Sequence, residues 1–322
     1  IFEKARLNLA WYNRLLENRE IIAQQLDAMA YIMEDCANEK NEITHENRNL
    51  LAEIKYRARE RGVIVQKPHL YENKDRHWQF TCEAYAKNGS CISMKELAKA
   101  VSMGLERGMR PHRDERAMVS PQGAAVVFEE DTCFHETHAV ARMVKDGGHV
   151  SGDNYSFLEM DNGRMAMMLS DGMGSGSSAC KESELVLELL EKFLEAGFSE
   201  DTALKMMNSA MVIRGEDDLY STVDICSLDL YTGRCDLYKI GAATTFIKHR
   251  DYVERVESSS LPVGATHRIE TENTKRQLEN GDFLVMMTDG VLEYLMEEDP
   301  DLAMCEILKN LEVRHPGQMA DA

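Results

Sequence analysis

Two short apolar runs that end in the same way constrain this chain more than any other feature. Residues 164–169 are nearly all apolar, too few for a helix, and bounded by Asn162-Gly163 on one side and Ser170-Asp171-Gly172 on the other. Residues 283–287 form a second such run and lead into Thr288-Asp289-Gly290. Each reads as an interior strand that finishes in a hydroxyl residue, an aspartate and a glycine. Upstream, Ser151-Gly152-Asp153 brings a third aspartate to the other side of the first strand. A carboxylate where a core strand meets a glycine loop is costly unless something pairs with it, and a divalent cation is one such partner. Asp-Gly is also common hairpin punctuation, so either pair alone reads first as a turn. The combination says more. Asp153, Asp171 and Asp289 are hard oxygen ligands with no His or Cys interleaved, which suits Mg2+ or Mn2+ rather than Zn2+. Two such ions can share a carboxylate and hold a water between them for attack on phosphorus.

Size and charge bound the alternatives. With 322 residues the chain has room for about two domains, one with a sizeable core. Its net charge of −19 leaves no basic stripe to release counterions, which argues against nucleic acid and against adhesion to an anionic membrane. No run of apolar residues is long enough to span a bilayer, and no signal peptide is visible. Ile1 opens directly into a charged amphipathic stretch, so the expectation is a soluble, cytosolic piece of a longer protein. The eight cysteines are irregularly spaced without a Cys-x-x-Cys pair, which speaks against zinc ribbons and a disulfide framework.

Three segments follow from composition and periodicity. Residues 1–61 read as one long regulatory or linker helix, since Pro and Gly are absent from 1–60 and Leu15, Ile22, Met29, Cys36, Ile43 and Leu50 recur every seven residues. Leu26, Met33 and Ile54 fill some intermediate positions, whereas Arg19, Lys40 and Asn47 weaken the seam. Whether this face binds a partner, as in a homodimer, or packs on its own domain stays open. Residues 62–144 read as a small α+β unit. It has a short strand at 63–65 ended by Pro68, a strand at 78–85, a helix capped by Ser93 and closed near Gly108, and strands at 124–129 and 137–144. His112, His135 and His138 lack matched ligand spacing and read as solvated or core histidines. Residues 145–322 carry helices over 177–196 and 199–214. Strands at 220–230, 234–240, 244–248 and 252–256 follow as an antiparallel meander, and a last helix begins near Asp299-Pro300. Layered sheets covered by helices are expected. The glycines at 172, 174 and 176 do not make a nucleotide loop, because no Lys-Ser/Thr closes them and Lys181 lies outside that frame.

The motifs taken in order carry a resemblance that covers roughly residues 145–290. KDGGHVSGDNYS (145–156), SDGMGSG (170–176), YSTVDICSLDLYTG (220–233), KIGAATTFIK (239–248), SSLPVG (259–264) and MMTDGVLE (286–293) resemble the PPM (PP2C-like) family of metal-dependent protein serine/threonine phosphatases. Within that family, the sporulation phosphatases of bacteria are the most similar. The resemblance implies a four-layer αββα sandwich with a binuclear Mn2+ or Mg2+ centre between the two sheets. It implies that Asp153 holds the second metal, Asp171 bridges both, Gly172 offers its backbone carbonyl and Asp289 holds the first metal. A water between the ions then attacks the phosphorus of phosphoserine or phosphothreonine. The implied substrate is a phosphorylated anti-sigma-factor antagonist whose dephosphorylation activates a sporulation sigma factor. The implied parent protein has a membrane anchor and works at the cytoplasmic face of the membrane. A non-catalytic regulatory or scaffold module on the same fold, acting through helix-mediated dimerisation, remains the alternative. Two departures stand out. Relatives carry a further aspartate in an Asp-Asp-Met-Thr-Val-like final strand, and nothing after Asp289 matches it; truncation is the expected reason, with weak binding of the first metal and low activity as its consequence. The family's phosphate-holding arginine has no clear counterpart either, with Arg142 and Lys145 lying nearest.

Overall fold

The computed structural model describes residues 40–322, apart from 74, 88, 114, 144–150, 161–162, 174–175, 215–219, 259, 266–268 and 270, together with Arg19, Ala23, Leu26, Met29 and Ala30. Two compact units divide the chain, one of residues 30–132 and one of 1–29 with 133–322.

In the first unit the described elements are β1 (Lys40–Glu42), α1 (Arg48–Glu60), β2 (Val63–Asn73), β3 (Trp78–Ala86), β4 (Ile92–Ser93), α2 (Met94–Leu105), β5 (Met109–Pro111), β6 (Met118–Val119) and β7 (Ala124–Glu130). An antiparallel sheet of order β1-β2-β3-β7-β5 is covered by the two helices, whose Ile54, Leu97 and Val101 bury against Phe80 and Phe128. The helices touch closely because Gly104 has no side chain, and a Cβ there would lie 2.5 Å from Ile54. Ser93 caps α2 by accepting the Lys95 N–H, as its position before the apolar run implies.

The single helix expected over 1–61 is corrected here. Arg19, Ala23, Leu26, Met29 and Ala30 are helical, but Lys40–Glu42 is a strand paired with Tyr71–Asn73. Ladder bonds outweigh local propensity in this polar stretch. The strand is pinned at its end, where the Ile43 N–H donates to the Leu70 carbonyl and the Leu70 N–H donates to Thr44 Oγ1. Ile43 and Leu50, taken as seam positions, pack on the core of the small unit instead. Leu15, Ile22, Met33 and Cys36 lie outside the described residues. Pro68 does not end its strand, because β2 bulges between Gln66 and His69 with Lys67 at φ 44° and so carries the proline outside the ladder. Residues 137–143 form no strand; all are exposed, so their alternation has no face to bury. The compact units divide at 132/133.

The second unit contains β8 (Asp153–Met160), β9 (Arg164–Asp171), α3 (Ser177–Glu195), α4 (Glu200–Arg214), β10 (Val223–Asp229), β11 (Arg234–Ile240), β12 (Thr245–Lys248), β13 (Val253–Val256), β14 (Glu272–Gln277), β15 (Phe283–Val285), α5 (Asp289–Glu293), α6 (Pro300–Asn310) and α7 (Pro316–Asp321). One sheet has the order β14-β11-β10-β9-β8 and the other β13-β12-β15. Period-two alternation splits the buried side chains of β9, β10 and β11 between two cores. Ala166, Met168, Val223, Ile225 and Ile240 face Leu190, Leu194, Leu204 and Met207 of α3 and α4. Met165, Cys226, Leu228, Cys235 and Leu237 face Ile247 and Val256 of the smaller sheet. On that sheet's other side Phe246 meets Leu292 of α5 and Met304 and Leu308 of α6. The layers are therefore helices, sheet, sheet, helices. Each fully buried Leu, Ile or Met contributes about 1.5–3 kcal/mol relative to exposure, so these three cores hold the layers together.

The expected meander stops at β11. After Ile240 the chain crosses to the second sheet, where β12 pairs with β13 and β15, while β11 takes β14 as its outer neighbour. Strand β14 carries the polar sequence Glu-Asn-Thr-Lys-Arg-Gln, so no apolar pattern announces it.

Candidate metal centre

The pairing of β8 with β9 sets Asp153 directly opposite Asp171, so two carboxylates leave neighbouring strands at the same end of the sheet and on the same face. Strand β9 leads into Gly172, where a Cβ would lie 2.2 Å from the Ala179 carbonyl oxygen in the first turn of α3. Thr222 clasps the turn from β10's side: its N–H donates to the Asp171 carbonyl at 2.8 Å and its Oγ1 accepts the Asp171 N–H at 3.2 Å. Asp289 comes from the other sheet as the first residue of α5, four residues after β15 ends at Val285. Its neighbour Thr288 donates from Oγ1 to Asp153 Oδ2 at 3.2 Å, and Ser151 Oγ donates to the same oxygen at 3.1 Å. The Arg142 guanidinium donates to the backbone carbonyls of Ser151 and Asp153 and fixes the approach to β8.

The structure thus brings Asp153, Asp171, Gly172 and Asp289 to one edge. Asp171 stands opposite Asp153 in the ladder, and both Asp153 and Asp289 lie close enough to act on its carboxyl. Burial first, and then the Asp153 and Asp289 carboxyls beside it, push its pKa from 3.8 to about 8. Such crowding of like charge calls for a proton or a cation. Among the described residues no group of three or more His, Cys, Asp or Glu side chains is placed to hold a single metal ion. An all-oxygen donor set of this kind fits hard divalent ions, with carbonyls and water supplying the remaining ligands. A cavity of about 30 Å3 opens beside Asp171 and is lined also by Thr222, Asp224, Thr288 and Asp289.

Several residues of this edge go unnoticed in the motifs. Asn154 donates from Nδ2 to the Cys180 carbonyl and to Ser183 Oγ, and Ser183 donates to the Gly152 carbonyl, so the start of α3 is tied to the start of β8. Asp224 and Lys239 are another case: only the register of β10 on β11 sets them opposite one another and makes the buried pair. Of the three histidines, His138 contacts Glu136 and stacks on Phe157 at 3.9 Å, and none belongs to a metal-binding group among the described residues. Lys145 and Gly174 lie outside the described residues.

Comparison with known proteins bears on this geometry. The family model described as "Stage II sporulation protein E (SpoIIE)" matches residues 161–322. The chain belongs to the stage II sporulation protein E family. It is 30% identical to stage II sporulation protein E of Bacillus subtilis (strain 168) over 315 residues, 98% of this chain and 38% of that protein. With the Priestia megaterium protein of the same name it shares 32% identity over 317 residues, 96% of this chain and 53% of that protein. The chain thus spans between about two fifths and half of the curated relatives it matches. A solved structure of the PP2C phosphatase domain and a fragment of the regulatory domain of SpoIIE from Bacillus subtilis matches with a TM-score of 0.63 and 31% identity, covering 96% of this chain and 90% of that one. The four layers are those of a PP2C phosphatase domain.

Proposed function

We propose that this chain removes phosphate from phosphoserine or phosphothreonine in a protein substrate, using two divalent ions, Mn2+ or Mg2+, held along the edge formed by Asp153, Asp171 and Asp289. The observation that carries the proposal is the position of Asp171, whose carboxyl lies between two others at the end of a core strand and is driven to about 8 by burial and by them. In this reading Asp171 serves both ions, Asp153 and Asp289 take one side each, and Gly172 adds its carbonyl. Bound there, the ions supply positive charge against the phosphoryl oxygens and lower the pKa of the attacking water. The chain's own part is to keep the oxygens in place. Ser151 and Thr288 lock Asp153 Oδ2, and Thr222 holds the backbone of Asp171 from both sides. Arg142 is engaged with backbone carbonyls, which supports a role in shaping the edge.

The family's name supports a place in sporulation; from the motif resemblance we propose the finer reading in which the substrate is a phosphorylated anti-sigma-factor antagonist and its dephosphorylation activates a sporulation sigma factor. The same reading puts the whole protein at the cytoplasmic face of the membrane; among the described residues no helix is long and apolar enough to cross one. We further propose that the N-terminal helical segment mediates a homodimer, because its heptad residues Leu26 and Met29 are 60% and 51% exposed.

Phosphate release from a phosphoserine peptide, followed with Mn2+ and again after chelation, tests the activity. Release that depends on the ion is expected, and equal release in excess chelator would contradict it. A phosphorylated antagonist protein should be turned over faster than the isolated peptide if the finer reading holds.

A further inference from the structure

Asp224 lies in the middle of β10 and is 1% exposed, yet it lines the small cavity beside Asp171. Its two oxygens are used unequally. Oδ2 accepts from Lys239 Nζ and from Thr245 Oγ1, whereas Oδ1 has no partner among the described residues. Lys239 is also 1% exposed and donates to Thr245 Oγ1, so its ammonium is committed to this group. A buried carboxylate oxygen without a donor costs free energy that an ion pair alone does not require. The cavity of about 30 Å3 is too small for a phosphopeptide, but it exceeds the ~10–15 Å3 that one water needs. Its other polar walls are Asp171, Thr222, Thr288 and Asp289, which belong to the candidate metal edge.

We propose that Asp224 is a positioning residue for that edge: its free Oδ1 accepts a hydrogen bond from a water in the cavity and turns that water's oxygen towards the ions served by Asp171 and Asp289. Burial pushes the Asp224 carboxyl up, Lys239 and Thr245 oppose that shift, and both fix its rotamer by holding the opposite oxygen. Outer partners of this kind typically change ion affinity 10–100-fold. The proposal rests on the metal reading given above.

The test compares two double variants of the intact protein, both lacking the buried ion pair. Asp224→Asn with Lys239→Met keeps an oxygen acceptor at the cavity wall, and Asp224→Val with Lys239→Met removes it. Mn2+ binding is read by calorimetry and by water-proton relaxation, with thermal melting to confirm folding; Asp224→Ala replaces the valine if that variant does not fold. The asparagine variant is expected to bind within about threefold of the unaltered protein, and the valine or alanine variant at least ~10-fold more weakly with altered relaxation. Equal affinity and equal relaxation in the two double variants would overturn the proposal. An unaltered protein that shows no saturable Mn2+ binding would instead remove the metal reading, and this inference with it.

Discussion

Asp171 binds a proton more readily in the folded protein than in the unfolded chain, because burial and its two carboxyl neighbours raise it from 3.8 to about 8. A raised carboxyl pKa contributes stability that is present in full below about pH 4 and is lost as pH rises through about 8. The cation-free protein is therefore expected to melt at falling temperature across that window, and Asp171→Asn, neutral throughout, to flatten the slope. Melting curves in a chelator from pH 4 to 9 check this; an identical slope in the variant would contradict the crowding described for Asp171. Gly172 makes a separate residue-scale prediction. A Cβ would meet the Ala179 carbonyl at 2.2 Å, so Gly172→Ala is expected to cost about 1–3 kcal/mol in urea unfolding, as overpacking does.

At the scale of elements, the sequence was most legible where a local signal and the tertiary structure agree. The apolar run before Asp171 is a core strand, Ser93 caps α2, and Asp299 caps α6 by accepting the Leu302 N–H at 2.9 Å. It was least legible where pairing overrides composition. Lys40–Glu42 joins a ladder despite a helix-like sequence, Pro68 rides on a bulge, and β14 is a polar strand held by β11. Of the site, the three aspartates and Gly172 stand in recognisable motifs. The Asn154–Ser183 tie and the Asp224–Lys239 pair depend on which strands and helices become neighbours, and periodicity does not give that. The pair also predicts an element-scale effect. Lys239 on β11 meets Asp224 on β10 and Thr245 on β12, the first strand of the second sheet, so Lys239→Met alone leaves a buried carboxylate without its cation. Loss of about 3–5 kcal/mol is expected in denaturant unfolding. A loss below about 1 kcal/mol would mean that the pair does not carry charge in the folded protein.

For the whole molecule, the use of the N-terminal helical segment is read from assembly. If its heptad face makes a homodimer, replacing Leu26 and Met29 with Asp should reduce the mass found by light scattering from two chains to one, while each unit still melts cooperatively. An unchanged mass would remove that face from any account of assembly. A charge of −19 also implies that association between copies is opposed by repulsion and should tighten with added salt, unless the contact is locally complementary.

If Asp171 is shared between two ions, calorimetric titration of Mn2+ into the protein and into Asp171→Asn separates that arrangement from any other. Saturable binding to the unaltered protein and none to the variant is the predicted result, because one substitution removes a ligand from both ions. Two saturable sites of unchanged affinity in Asp171→Asn would contradict it.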